Sequence, residues 1–442
     1  MAGPADIPDR SDAPAEDVRF PAGFLWGTAT SPTQVEGGTQ NEWTGVKARD
    51  GSDTSRACDH LRRFEEDVGW MRELGANTYR FGMEWSRLQH EPYGELDRAA
   101  LDRYLGMLGL LRDRGIEPML VLHHFSNPPW VVEKGGWANP ETADVFADYA
   151  TKLAGAAREF VSLWNTFNEP DAYASCTHVT GEFPPFERLR VLRFRKVILH
   201  MAGAHRRIYR AIHDGAGRGR EPRVGFTKHH AFFEPFRPWH PIDALSAAAI
   251  DRGFNRFVLD AFLGGEGARC SDYLGLNYYG RVRLRNFTGL APLHGASREA
   301  LAKAGILCDD MFEQFPEGMG AAATALHRAH SLPIYVTENG AATTDENFRT
   351  ECLVNCLHHL GAAIGAGSAI GAGADVRGFF YWSLLDNFEW MFGFSKKYGL
   401  VEVDFSDPAL PRRMKRTGAI YRTISERNSL PADLCRKFLR RP

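Results

Sequence analysis

Long apolar runs are missing from this 442-residue sequence: none approaches the roughly 18 residues a membrane span requires. Cysteine is scarce and scattered. Seven residues, an odd number, form neither a disulfide framework nor C-x-x-C metal sites. Cys352 and Cys356 stand at helical i,i+4 spacing with no second pair, the pattern of buried thiols. An excess of one charge is also missing. With 53 Lys+Arg against 55 Asp+Glu, the chain carries no overall electrostatic footprint for nucleic acid or an anionic membrane. No G-x-G-x-x-G turn follows the first strand candidate, so a dinucleotide cofactor is not expected. The pairs His123/His124, His229/His230 and His358/His359 lack H-x-x-x-H spacing with a carboxylate, so no metal is expected either. The start, "MAGPADIPDRSDAPAEDVRF", has no apolar signal core. It reads as a disordered tail over residues 1–19, ahead of one catalytic domain over 20–442, and the protein is expected in the cytoplasm.

What is present is a repeated alternation. Short apolar segments recur eight times: "FLWGTAT" from Phe24, "ANTYRFG" from Ala76, "EPMLVLHH" from Glu117 and "VSLWNTFNE" from Val161 come first. "PRVGFTKHH" from Pro222, "DYLGLNYY" from Asp272, "PIYVTEN" from Pro333 and "RGFFYWSLL" from Arg377 follow. Between them lie stretches of helical period. "HLRRFEEDVGWMRELG" puts Leu61, Phe64, Val68, Met71 and Leu74 on one face, and Gly75 and Gly115 stand where two helices should stop. "LDRYLGMLGLLRDRG" and "EFPPFERLRVLRFRKVILHMAGAHRRIYRAI" have the same periodicity. Eight strand–helix units without a linker predict an α/β fold, a single (β/α)8 barrel, which as a class runs from about 200 to over 400 residues.

Polar residues gather where these strands end. Gln34 follows the first, Arg80 lies on the second, and His123 and His124 end the third. Asn168 and Glu169 end the fourth, Asn277 and Tyr279 the sixth, Glu338 and Asn339 the seventh. Trp382, Asp386, Glu389 and Trp390 follow the eighth. In such a barrel these ends converge on one mouth, where active sites form. Glu169 and Glu338 then form a carboxyl pair, the equipment of glycoside hydrolysis, which needs one group protonated and the other ionised. Arg80 could hold Glu338 anionic and Tyr279 could donate to it, whereas Glu169, expected among Trp164, Phe167 and Pro170, would be desolvated and raised.

These residues carry a resemblance. "FLWGTATSPTQVEG", "YRFGMEWSR", "TFNEP", "LGLNYYGR", "TENG" and "YWSLLDNFEW" resemble, in order and spacing, the signature blocks of glycoside hydrolase family 1, the β-glucosidase family, from Phe20 to about Arg427. The resemblance implies a retaining β-glycosidase acting on small terminal β-D-glucosides, with β-galactosides or β-fucosides as further substrates and no cofactor. It implies Glu338 as nucleophile and Glu169 as acid, then base, with Arg80, Tyr279 and Asn277 orienting the nucleophile. Asn168 would contact the sugar 2-hydroxyl. Gln34, His124, Glu389 and Trp390 would bind the other hydroxyls, and Trp382 would lie beneath the ring.

The sequence also departs from that pattern. Phe125-Ser126 stands where the family commonly has Trp-Asp, and the stretches from Gly37 to Cys58 and after the sixth strand are short. Ser395, Lys396, Lys397 and Tyr398 raise the possibility of a 6-phospho-β-glycosidase, which Glu389 opposes by repelling a phosphate. A metal-assisted barrel hydrolase or a non-catalytic sugar-binding barrel would share the same strand–helix pattern.

Overall fold

A computed structural model describes residues 16–215, 219–264, 269–365 and 373–440 of the chain. Residues 1–15, most of the expected tail, lie outside the described residues. Val18–Arg19 pair antiparallel with Ser429–Leu430, tying the two ends of the described chain together.

All eight apolar segments are strands: β1 (Leu25–Ala29), β2 (Thr78–Gly82), β3 (Glu117–Val121), β4 (Leu163–Asn168), β5 (Arg223–His229), β6 (Tyr273–Asn277), β7 (Ile334–Asn339) and β8 (Val376–Trp382). They close into one barrel in chain order, each parallel to the next, and β8 closes on β1 from Gly378↔Leu25 to Trp382↔Ala29. Strands covered on both faces are almost continuously apolar, because neither side meets water.

Local chemistry sets the surrounding helices. Helix Phe64–Glu73 carries Glu65, Glu66 and Asp67 in its first turn, favourable at the positive end of the helix dipole. Gly75 follows its C-cap at φ 68°, and Gly115 does the same for helix Arg98–Asp113 at φ 73°. The latter helix starts at Asp97, whose carboxylate accepts the Ala100 N–H at 2.8 Å. One periodic stretch breaks early. Helix Val191–Asp214 starts well after Glu182, because Pro184 and Pro185 have no N–H to offer a helix. The intervening loop instead donates from Glu187, Leu189 and Arg190 to the carbonyls of Thr177, Val179 and His178 at 2.8–3.0 Å.

Two large apolar regions, with two small satellites beyond the barrel, result among the described residues. The larger lies between strands and helices and includes Val68, Met71, Leu108, Phe146, Phe167, Val197 and Phe379. The smaller fills the lumen with Met119, Leu163, Tyr273, Tyr335, Phe380 and Trp382. Beyond β5 and β6 the chain adds a three-stranded sheet of Phe232–Pro235, Arg281–Arg285 and Thr288–Leu290. Among the described residues, no helix is long and apolar enough to cross a membrane. Cys352 and Cys356 are buried free thiols.

Candidate active site

The two glutamates reach the lumen through irregularities in their strands. Strict alternation from Leu163 and Asn165 would turn Phe167 inward and Asn168 outward. The pairing of β4 with β5 shifts between Asn165 and Asn168, and the outcome is the reverse. Asn168 joins the lumen network, while Phe167 packs outside against Phe146 and Trp137 at ring distances of 5.1 and 5.2 Å. On β7, Thr337 faces inward, so Glu338 should face outward; a register shift against β6 between Val336 and Glu338 brings both inward. Glu169 then adopts φ 41°, ψ 63° at the junction with helix Pro170–Ser175. Its side chain makes no capping bond there, and Pro170 starts the helix at no hydrogen-bonding cost. Phe125 (φ 63°) and Trp390 (φ 47°) are strained in the same sense at the same mouth.

A hydrogen-bond chain with a fixed direction links these groups. Arg80, fully buried, donates from Nη1 to Glu338 Oε1 at 2.6 Å and from Nη2 to Asn168 Oδ1 at 2.6 Å. Tyr279 OH donates to Glu338 Oε2 at 2.7 Å. Arginine cannot accept, so the Asn168 amide has one possible orientation, with Nδ2 toward His124 Nε2 at 3.1 Å. That nitrogen must accept, which leaves the proton on His124 Nδ1. Nδ1 has no partner among the described residues, and burial keeps the imidazole neutral by lowering its pKa. Asn277 Nδ2 donates to Asn168 Oδ1 at 3.1 Å and to Glu169 Oε1 at 2.7 Å. Its own Oδ1 accepts from Thr337 at 2.7 Å, Thr337 from Thr227 at 3.2 Å, and Thr227 from Asn165 at 2.6 Å.

This wiring treats the two carboxyls differently. Burial raises both pKa values. At Glu338 the Arg80 charge and the Tyr279 and Arg80 hydrogen bonds oppose the rise, and a donor on each oxygen suits the ionised form. Glu169 is raised further, because the charges of Glu338 and Asp171 add to burial. One Glu169 oxygen accepts from Asn277, and the other is the place for a proton.

The remaining site residues assemble beside this pair. Gln34 Nε2 donates to Glu389 Oε2 at 3.2 Å and to Phe388 O at 2.8 Å, while its Oε1 accepts from Ser31 at 2.7 Å. Burial, helped by the Glu338 charge, pushes Glu389 up to about 8. The His124 ring stacks on Trp382 at 5.7 Å, and Trp390 packs on Trp43, Phe125 and Phe183 at 4.8–5.5 Å. A sugar's vicinal hydroxyls suit such a mixture of neutral donors, carboxyl acceptors and aromatic faces.

Several expectations need correction. Trp164 and Phe167 do not surround Glu169; both lie in the strand–helix core, and the acid is buried and raised without them. His123 turns outward to Asn127 at 3.1 Å and Trp137 at 3.2 Å. Asn339 braces the Tyr278 carbonyl at 2.7 Å, and Asp386 holds Lys415 at 2.7 Å and the Gly399 N–H at 2.9 Å. The sequence reading missed Thr227, Thr337 and Asn165, whose signal was polarity at inward positions of buried strands. It also missed a buried ion pair: Lys228 on β5 binds Asp171, two residues after Glu169, together with the carbonyl of His229 and Asn255 Oδ1. The signal there was a lysine inside a buried strand. Gly275 lets the two threonines approach, since a Cβ there would lie 2.4 Å from Thr227 Oγ1.

Known proteins share this arrangement's framework. The model of glycosyl hydrolase family 1 matches residues 16–271 and 268–430. Beta-glucosidase A of Thermotoga maritima is 31% identical over 93% of this chain and 99% of its own length. Thermostable beta-glucosidase B of Thermobispora bispora is 32% identical over 95% of this chain and 93% of its own. The solved beta-glycosidase from Pyrococcus horikoshii superposes with a TM-score of 0.80 at 31% identity, over 96% of this chain and 98% of that one. A family 1 glucosidase structure from Thermotoga maritima gives a TM-score of 0.81 at 26% identity, over 95% and 100%. Matched from residue 16 to residue 430 by the family model, this chain belongs to glycosyl hydrolase family 1.

Proposed function

We propose that the protein is a retaining β-glucosidase that works through a covalent glycosyl-enzyme. One observation carries this reading: Glu338 has a donor on each oxygen, while Glu169 has one donor among the described residues and the more strongly raised pKa. In the first step a Glu338 oxygen bonds to the anomeric carbon as the glycosidic bond breaks, and Glu169 gives its proton to the departing oxygen. In the second, Glu169, now ionised, takes a proton from water while the water oxygen bonds to the anomeric carbon and releases Glu338. Asn168 would meet the 2-hydroxyl. Gln34, His124, Glu389 and Trp390 would hold the others over Trp382.

The names of the relatives, beta-glucosidases in both bacterial cases above, support a glucose-configured substrate. The 6-phospho reading has less support. Ser395 Oγ donates to the Phe392 carbonyl at 2.6 Å and Tyr398 OH to Met311 Sδ at 3.3 Å. Lys396 and Lys397 lie over the rings of Phe392 and Phe405. The deciding experiment is Glu338→Ala assayed on nitrophenyl β-glucoside with and without azide. Azide should restore turnover and give a glycosyl azide of inverted configuration; a retained product would remove Glu338 from the nucleophile role. A parallel assay on the 6-phosphorylated glucoside should give the slower rate.

A further inference from the structure

Large apolar side chains are not spread evenly over the surface. Of the eleven exposed ones among the described residues, nine fall in or against two segments. Phe186, Leu189, Val191, Leu192 and Leu199 lie in the loop after the Glu169 helix and at the start of helix Val191–Asp214. Trp239, Ile242 and Leu245 lie in the segment that follows β5, and Phe287, beyond β6, is bonded to that segment through Ser246. The exposures are extreme at three of them: Leu189 82%, Leu192 79% and Trp239 78%. An apolar patch of this kind on a folded protein marks a contact surface.

The two segments belong to neighbouring units of the barrel. They follow neighbouring strands past the mouth end of the barrel, and the helices behind them touch: the Arg195 guanidinium lies 5.1 Å over the Phe257 ring, which faces Phe194 at 6.5 Å. The exposed positions of helix Pro241–Asp251 (Pro241, Ile242, Ala244, Leu245, Ala248 and Ala249) carry no charge. Phe287 is half-exposed at φ 64° in a two-residue hairpin turn, where glycine is the favoured residue, and its N–H is held by Ser246 Oγ at 3.0 Å.

The same surface is basic. Arg188, Arg190, Arg193, Arg195 and Lys196 are exposed among the apolar residues of the first segment. The two acids of that stretch, Glu182 and Glu187, are engaged by Arg49 and by Arg193 with His178. The near-neutral net charge of the whole chain averages this concentration away. A second copy meeting this face symmetrically would bring like charges together. Apolar side chains interleaved with cations match an anionic bilayer surface, where the former enter the acyl boundary and the latter meet the headgroups.

We propose that the rim formed by residues 186–199 and 239–245 with Phe287 docks the protein on the surface of anionic membranes, without spanning them. The test is co-sedimentation of the full chain with vesicles of phosphatidylcholine alone and of phosphatidylcholine with phosphatidylserine. This readout needs no turnover, so it stands apart from the proposed hydrolysis. Binding should favour the anionic vesicles and weaken with salt. Leu189→Glu/Leu192→Glu should cut the partition coefficient by about ten-fold or more while leaving hydrolysis of a soluble nitrophenyl glucoside unchanged. Trp239→Ala/Phe287→Gly tests the second segment separately and carries the experiment if the first variant unfolds. No binding by the wild type to either vesicle, or undiminished binding by both folded variants, would overturn the proposal. So would a wild-type dimer that ignores vesicles and is dissociated by these substitutions, which would assign the face to a second copy.

Discussion

Phe167 and Asn168 are consecutive residues serving regions of opposite character. Phe167 lies in the layer between strands and helices, touching the rings of Phe146, Trp137, Phe262 and His123. Asn168 lies in the lumen mouth, fixed by Arg80, Asn277 and His124. The outer layer is held by area and shape, which any well-packed apolar set supplies. The mouth is held by directed bonds whose donors and acceptors are fixed, and it tolerates strained backbone at Phe125, Glu169 and Trp390. Packing and directed bonding are therefore carried by different faces of the same strands. Substitutions in one region should leave the signature of the other intact.

The largest effect is expected at Glu338. Glu338→Gln should lower turnover by about four orders of magnitude or more, the scale of losing a covalent nucleophile, while the protein stays folded by circular dichroism. A loss of only a few-fold would place the chemistry elsewhere.

Next, Glu169→Gln should cost about 100- to 10,000-fold on glycosides with poor leaving groups and little on dinitrophenyl glycosides. Wild-type activity should fall as pH rises through the raised pKa of Glu169, because the acid must be protonated to act. In the variant that alkaline limb should disappear from the pH–rate profile. A limb that survives would mean another group supplies the proton.

In the outer layer, Phe146→Ala should destabilise the fold by about 3–5 kcal/mol in denaturant titration, the cost of a buried aromatic cavity. Phe146 is fully buried on helix Glu141–Ala157 and touches none of the lumen network. The folded fraction should keep the wild-type pH profile. A shifted profile would show that the two regions are coupled.

The smallest effect joins function to stability. Glu389→Gln should lower glucoside kcat/KM near neutral pH by only a few-fold to about ten-fold, the scale of a hydrogen bond between neutral groups, because the raised pKa keeps the carboxyl protonated there. It should also raise stability under alkaline conditions. Glu389 has a folded pKa of about 8 against an ordinary 4.5, so the folded state holds more protons in between and stability falls as pH rises through that window. The glutamine variant lacks this loss. Its Tm should match wild type near the ordinary pKa and exceed it above about 8, and equal Tm at both ends would contradict the raised value.

The sequence by itself determined the eight strands, since "YRFG", "LGLNYY" and "PIYVTEN" are apolar runs bounded by breakers, and it determined both glutamates, which stand at strand ends beside an asparagine. Helix stops at Gly75 and Gly115 were equally local, because a positive φ favours glycine within a few residues of the last turn. Only the tertiary structure decided which neighbour faces the lumen: His124 rather than His123, Asn168 rather than Phe167, and Glu338 together with Thr337. It also decided that Lys228 pairs with Asp171 and that Asn339 and Asp386 serve as braces. The reason is that a register shift is a property of two strands. Alternation can be counted along one chain segment, but the slip that re-aims Asn168 and Glu338 exists only once β4 meets β5 and β7 meets β6.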